Sequence, residues 1–353
     1  MKILILPGDD IGPEIMAPTI KSLEALNEKF HLGFEFEEKI IGMSALEAEG
    51  STLPDHVLQS VKAADGVILG PVGTFKYPPK EQGGINISAA LRMSMDLYAN
   101  IRPAKTRLGV ISMAKKMDLV IVRENTEGFY ADRTMFAGTG EFMPTEDLAM
   151  SMRKITREGS RRIAVSAFEL ARTRRKKVTI VHKANVLKVT DGLFLSVAQQ
   201  VATDYPDVEV EDVIVDAMAA LLIRKPESFD VIVATNMFGD ILSDEAAELS
   251  GGLGLGGSLN AGAECAIAQA AHGSAPDISG QGIANPSALM ISAAMLMGWL
   301  AEKNGSNTLA EASELFIKSV DTTLANPANH TPDLNGTGST ESFGAAVLNE
   351  LDN

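Results

Sequence analysis

The stretch that decides the fold is FDVIVATNMFGDILSD, residues 229–244. Residues 229–235 are mostly apolar and rich in β-branched side chains, the pattern of a strand buried on both faces. A helix is expected directly after it, from about 239 to 249. A buried strand running into a helix is the repeating unit of an α/β sheet. The same alternation recurs on either side. Strands are expected at 1–6, 34–41, 66–69, 119–123, 177–182 and 208–215. Helices are expected near 13–28, 54–63, 86–98, 150–174, 188–203 and 217–224. Past a Gly-rich segment at 251–257 the reading is helical, near 261–271, 286–303, 307–325 and 341–351. The expected class is α/β, with a mixed, largely parallel sheet flanked by helices. A Rossmann fold is not supported, because the Gly8…Gly12 turn after the first strand lacks the G-x-G-x-x-G spacing. No linker is evident, so any domains are closely docked or interwoven.

Composition then narrows the function. Of 353 residues, 45% are hydrophobic, enough for a large core, and 31 basic residues against 46 acidic ones leave a net charge of −15. A surface this acidic argues against nucleic acid or an anionic membrane as partner. An anionic ligand therefore needs positive charge gathered in one pocket. Cys265 is the sole cysteine, which excludes an intrachain disulfide and suits a reducing, cytoplasmic setting. The opening MKILILPGDD reads as strand and loop rather than a signal peptide. No run approaches the ~18 apolar residues of a membrane span.

Four segments carry chemistry. Asp240 and Asp244 stand one helical turn apart on one face, within reach of a single cation. An isolated D-x-x-x-D pair is more often a solvated face. Here it follows a buried strand, at the end where open α/β sheets hold ligands, and paired carboxylates suit Mg²⁺ or Mn²⁺. Arg92, Arg102 and Arg123 form the second group, each in an apolar setting such as DLYANIRP or LVIVRENTEG. Singly each reads as a surface or structural arginine, but three at the ends of core elements suggest a carboxylate pocket. The third is HKAN, 182–185, after the strand KVTIV. A lysine there loses its proton more readily than in water and can act as a base, whereas His182 reads as a packed residue. Tyr130 is a candidate acid, with core packing as the blander reading. The fourth is the loop His272-Gly273-Ser274-Ala275-Pro276-Asp277-Ile278, with Asn285 opening the next helix. Its small residues admit close backbone approach to a ligand, and an acidic side chain can accept from ribose hydroxyls while repelling a 2′-phosphate.

In order, PGDDIGPE, LRMSMDLYANIRPAK, VRENTEGFY, HKANVLK, VDAM, NMFGDILSD and HGSAPDISGQGIANP resemble the isocitrate/isopropylmalate dehydrogenase family, which also includes homoisocitrate, tartrate and D-malate dehydrogenases. The resemblance covers essentially the whole chain. It implies a two-domain α/β fold of the isopropylmalate-dehydrogenase type, with residues 1–99 plus 252–353 as a larger discontinuous domain carrying the NAD site. Residues 100–251 would be a smaller domain carrying the dimer contact and the metal aspartates. It implies NAD- and divalent-metal-dependent oxidative decarboxylation of a small 2-hydroxy acid. Arg92, Arg102 and Arg123 would hold the acid's carboxylates. Tyr130 and Lys183 would be the acid–base pair, and Asp216, Asp240 and Asp244 would ligate Mg²⁺ or Mn²⁺. Lys183 and Asp216 would act in the partner's site of a homodimer. Asp277 and Ile278 match NAD-type members, Asn285 would face the adenine, and His272, Gly273, Ser274 and Ala275 would complete the cofactor loop.

Departures from the family pattern bear on the substrate. Asp10 and Asn335 stand where relatives carry glycine, and a local backbone adjustment is expected, because Asp and Asn tolerate unusual angles. Before Arg92, isopropylmalate enzymes have a leucine pair at the positions of Ser88 and Ala89, and isocitrate enzymes a Ser and an Asn at those of Asn86 and Ser88, the reverse of the order here. VRENTEG and HKAN lean toward the isocitrate, homoisocitrate and tartrate branches, and HGSAPDISGQGIANP toward isopropylmalate. The balance favours a polar or small substituent over isopropyl. The rival reading is a non-catalytic regulatory paralogue, against which every proposed catalytic position is intact.

Overall fold

Along β10 (Val231–Ala234), Val231 and Val233 enter one apolar cluster while Ile232 and Ala234 enter another. A strand covered on both faces must be apolar at every position, which is why 229–235 reads as it does. The computed structural model describes residues 1–129 and 140–352. Its centre is a ten-stranded mixed sheet. One wing holds β1 (Lys2–Leu6), β2 (Glu35–Glu38) and β3 (Gly66–Leu69), all paired in parallel. The other holds β5 (Asp118–Glu124), β10, β8 (Lys177–His182) and β9 (Glu209–Ile214), also parallel. Between them lie β12 (Ala266–Gln269), β11 (Leu259–Ala261) and β4 (Ala99–Lys105), joined to one another and to β5 in antiparallel register. A separate hairpin, β6 (Glu141–Thr145) and β7 (Leu148–Ser151), is exposed along its whole length.

Four apolar clusters cover the sheet. Two draw on β1, β3 and the helices α1 (Gly12–Phe30), α3 (Asp55–Ala63), α4 (Ile87–Ser94), α9 (Ser287–Asn304), α10 (Asn307–Ala325) and α11 (Thr340–Asp352). The other two draw on β5, β8, β10 and α5 (Arg157–Arg172), α6 (Thr190–Ala202), α7 (Val215–Arg224) and α8 (Asn236–Ser250).

The α/β class with its mixed sheet agrees with the sequence. Three expected elements do not. The helix near 261–271 is instead β11 and β12, because pairing with β4 and β3 overrides the helix propensity of an Ala-rich segment. The helix expected over 150–174 begins only at Arg157, where the Thr156 side chain accepts from Gly159 N. The helix expected over 86–98 stops at Ser94, and β4 follows. Asp10 and Asn335 both adopt left-handed backbone, with φ of 52° and 62°, the local adjustment expected of them.

Candidate active site

Strand β5 lies parallel to β10 with Arg123 opposite Ala234. Arg123 and the first turn of α8 therefore emerge together at the carboxyl ends of two strands. Asn236 Oδ1 accepts from Arg123 Nε at 3.1 Å and from Nη2 at 2.6 Å, while Nη1 pairs with Asp240. Gly239 leaves room for that side chain: a Cβ there would stand 2.7 Å from Arg123 Cβ. Arg102 arrives from the neighbouring β4. Its Nη1 lies 3.3 Å from Asp240 and 3.1 Å from Asp244. Its Nε donates to Asn100 Oδ1 at 2.6 Å. Asn100 in turn donates to Ser258 Oγ at 2.8 Å and Asn260 Oδ1 at 3.0 Å. This buried network orients Arg102, and the sequence reading missed it.

These groups open on a cavity of about 290 Å³ lined by Asn86, Ser88, Arg92, Arg102, Arg123 and Asp240, with His272 and Gly273 also on its wall. The cavity thus gathers all five expected substrate residues. Asn86 has a second role: its Oδ1 accepts from Ala89 N at 3.0 Å, so its side chain caps α4 as well as facing the cavity. The polar lining residues Thr74, Ser258 and Gln269 were not expected. Gln269 fell inside the mistaken 261–271 helix, where its direction is unreadable.

Lys183 and Asp216 are not on this wall. Lys183 Nζ pairs with Asp216 Oδ1, and that ammonium holds the Asp216 carboxyl below its usual range. Lys183 is fixed by its backbone, whose N donates to buried Asp191 Oδ2 at 2.6 Å. His182 is buried, with Nε2 3.1 Å from Asp212 Oδ2 and Nδ1 accepting from Ala184 N at 3.0 Å. Tyr130 lies outside the described residues.

Among the described residues no three carboxylate, imidazole or thiol groups converge as a cation site. Asp240 and Asp244 supply two carboxylates one turn apart, and Asp216 does not join them in the same chain. The pair still fits a hard divalent cation as two of its three expected protein ligands. Burial pushes the Asp244 carboxyl above its usual range, only partly countered by Arg102. A cation beside it would relieve that.

A second, mostly apolar cavity of about 620 Å³ shares His272 and Gly273 with the first and is also lined by Ala275, Ile278, Asn285 and Asp333. Burial lowers the His272 pKa, and its Nε2 has no partner among the described residues. Asn285 Nδ2 donates to Asp333 Oδ2 at 3.0 Å. Ala275, at φ 42°, lines this space. Ser274 is buried and Asp277 exposed, and neither lines the cavity. Asp333 is the carboxylate on this wall. Sequence pattern gave no signal for it, because a long stretch of chain, α9 and α10 included, separates it from the loop.

The profile described as isocitrate/isopropylmalate dehydrogenase matches residues 2–347. A 3-isopropylmalate dehydrogenase of Archaeoglobus fulgidus is 41% identical over 99% of each chain. A homoisocitrate dehydrogenase of Methanocaldococcus jannaschii is 41% identical over 99% of this chain and 98% of its own. The crystal structure of an isocitrate dehydrogenase from Methylococcus capsulatus superposes with TM-score 0.87 at 39% identity, covering 100% of this chain and 99% of that one. Among the described residues no helix is long and apolar enough to cross a membrane.

Proposed function

The chain belongs to the isocitrate/isopropylmalate dehydrogenase family, and from that premise we propose that it oxidises and decarboxylates a malate-type 2-hydroxy acid with NAD⁺ and Mg²⁺ or Mn²⁺. The observation that carries the reading is the cavity in which Arg92, Arg102 and Arg123 meet Asp240 in a protein of net charge −15. The positive charge an anionic substrate requires is concentrated there. Arginine's fork matches a carboxylate bidentately, so the three guanidiniums bind and orient the acid. Arg102 and Arg123 are already paired with Asp240 and Asp244. An acid that takes up the arginines would free the aspartates, which are the groups that would hold the cation together with Asp216. When bound, the cation lowers the cost of ionising the substrate hydroxyl and the dinucleotide accepts hydride. Lys183, as the neutral amine, takes the hydroxyl proton, and Asp216 beside it stabilises the ammonium so formed. Oxidation leaves a carboxylate β to a new carbonyl, which departs as CO₂, and Tyr130 returns the proton to carbon.

The second cavity suits the adenosine half of the cofactor, with His272 on its wall and Asn285 toward the adenine. Residues 1–99 plus 252–353 and 100–251 form the two domains in this reading, which the grouping of the apolar clusters supports. Lys183 and Asp216 serve the partner's cavity in a homodimer. Their absence from the wall of their own cavity supports this, as do the exposed apolar Val186 and Val189 just after Lys183 and Ile223 on α7, the helix of Asp216. Lys183→Met tests the chemistry: reduced nicotinamide and CO₂ should both cease to form, with acid still bound. Full decarboxylating turnover by that variant would contradict the proposal.

A further inference from the structure

We propose that Gln269 is the residue that reads the substrate's third substituent, and that this substituent presents an oxygen rather than an alkyl branch. The inference rests on the reading of the cavity given above. Gln269 is the last residue of β12 and is 9% exposed. Its backbone N donates to Ser258 O at 3.1 Å, which fixes where the side chain leaves the strand. Its Nε2 donates to Ser88 Oγ at 3.1 Å, and Oε1 lies 3.5 Å from the same hydroxyl. Ser88 and Arg92 are one turn apart on α4, so they share a face. A ligand whose carboxylate is gripped by Arg92 therefore directs its neighbouring substituent at the Ser88–Gln269 pair. Asn86, on the same wall, has its Oδ1 occupied in capping α4.

A carboxamide has two N–H donors, and Ser88 takes one. The other is available to an oxygen on the ligand. An alkyl branch packed there would shed water from the amide without replacing its hydrogen bond, and buried polar groups left unpaired oppose binding. The glutamine is also uncharged. It therefore accepts either a hydroxyl or a carboxylate oxygen, where an acidic side chain would repel the latter.

The test compares kcat/KM for isopropylmalate, D-malate, tartrate, isocitrate and homoisocitrate in wild type, Gln269→Leu, Gln269→Glu and Gln269→Asn. Wild type should prefer an acid with an oxygen-bearing substituent. Gln269→Leu should lower that acid by about tenfold, the worth of one hydrogen bond, leave D-malate within about threefold, and raise isopropylmalate. Gln269→Glu separates the two oxygen sources: it spares a hydroxyl-bearing acid and depresses a carboxylate-bearing one. Gln269→Asn, which keeps the amide, guards against a folding defect in the leucine variant. Equal loss on every acid, D-malate included, would reduce Gln269 to a structural residue and overturn the assignment. So would a wild-type preference for isopropylmalate. A wild-type enzyme that neither turns over nor is thermally stabilised by any of the acids would instead overturn the reading of the whole cavity, and this assignment with it.

Discussion

Gly239→Ala sets two physical effects against each other. In the interior of α8, alanine is favoured over glycine by about 1 kcal/mol, so propensity alone forecasts a more stable protein. The new Cβ, however, would lie 2.7 Å from Arg123 Cβ, 2.8 Å from its Cγ and 3.2 Å from its Cα, where ordinary contact begins at 3.4 Å. Close-packed interiors transmit such an overlap rather than absorb it, so the arginine stem or α8 must yield by about 0.7 Å. Arg123 is held at three points, twice by Asn236 and once by Asp240, so the displacement reaches its guanidinium. A misplacement near 1 Å in a substrate-positioning group costs on the order of a hundredfold. We therefore expect kcat/KM for the acid to fall between about tenfold and a hundredfold, with the KM for NAD⁺ little changed. Steady-state kinetics on the purified variant, with its melting temperature measured in parallel, decides the matter. A variant with raised melting temperature and unaltered acid kinetics would refute the claim that Gly239 exists to seat Arg123.

Three further outcomes follow from the same geometry. If Lys183 serves the partner's cavity, mixing the inactive variants Lys183→Met and Arg123→Met by co-expression should restore about a quarter of wild-type activity, since half the dimers are mixed and each has one intact site. No recovery would place Lys183 in its own chain's site. Asp277→Arg should lower the preference for NAD⁺ over NADP⁺ by at least about tenfold, measured as a ratio of kcat/KM. An unchanged ratio would move discrimination to Asp333, the carboxylate that lines the cavity. Burial depresses the folded pKa of His272, so the unfolded chain takes up a proton first as pH falls. The stabilisation is complete above about pH 6.5 and declines below it. His272→Gln should flatten the fall in urea midpoint between pH 7 and 5, and an undiminished slope would contradict the assignment.

The sequence made the charged half of the site legible for a physical reason. Arg102 and Arg123 interrupt apolar runs in buried strands, where ionic side chains are tolerated only with partners or a ligand, and Asp240 and Asp244 stand one turn apart just past another such strand. The order of strands and helices was readable wherever both faces of a strand are covered, as in 229–235. It failed where tertiary pairing overrides local preference. AGAECAIAQAA, residues 261–271, is Ala-rich and reads as helix, yet β12 is held by β3 and β11, and with it the direction of Gln269 was lost. Strand β4 contains Pro103, which by itself argues against a strand, and its antiparallel register with β5 is a long-range property. The Thr156 cap was present in the sequence as a helix-start signal and was passed over in favour of one long basic helix. What no pattern could supply were contacts such as Arg123 with Asn236 or Asn285 with Asp333, between side chains 113 and 48 residues apart.

The central claim is metal-dependent oxidative decarboxylation of a malate-type acid. Its most direct test is the formation of reduced nicotinamide with Mn²⁺ present, across isopropylmalate, isocitrate, homoisocitrate, D-malate and tartrate, with NADP⁺ and EDTA as controls. One acid should turn over with NAD⁺ in preference to NADP⁺, with activity abolished by EDTA and restored by Mn²⁺. Turnover that persists in EDTA, or silence on all five acids, would contradict it.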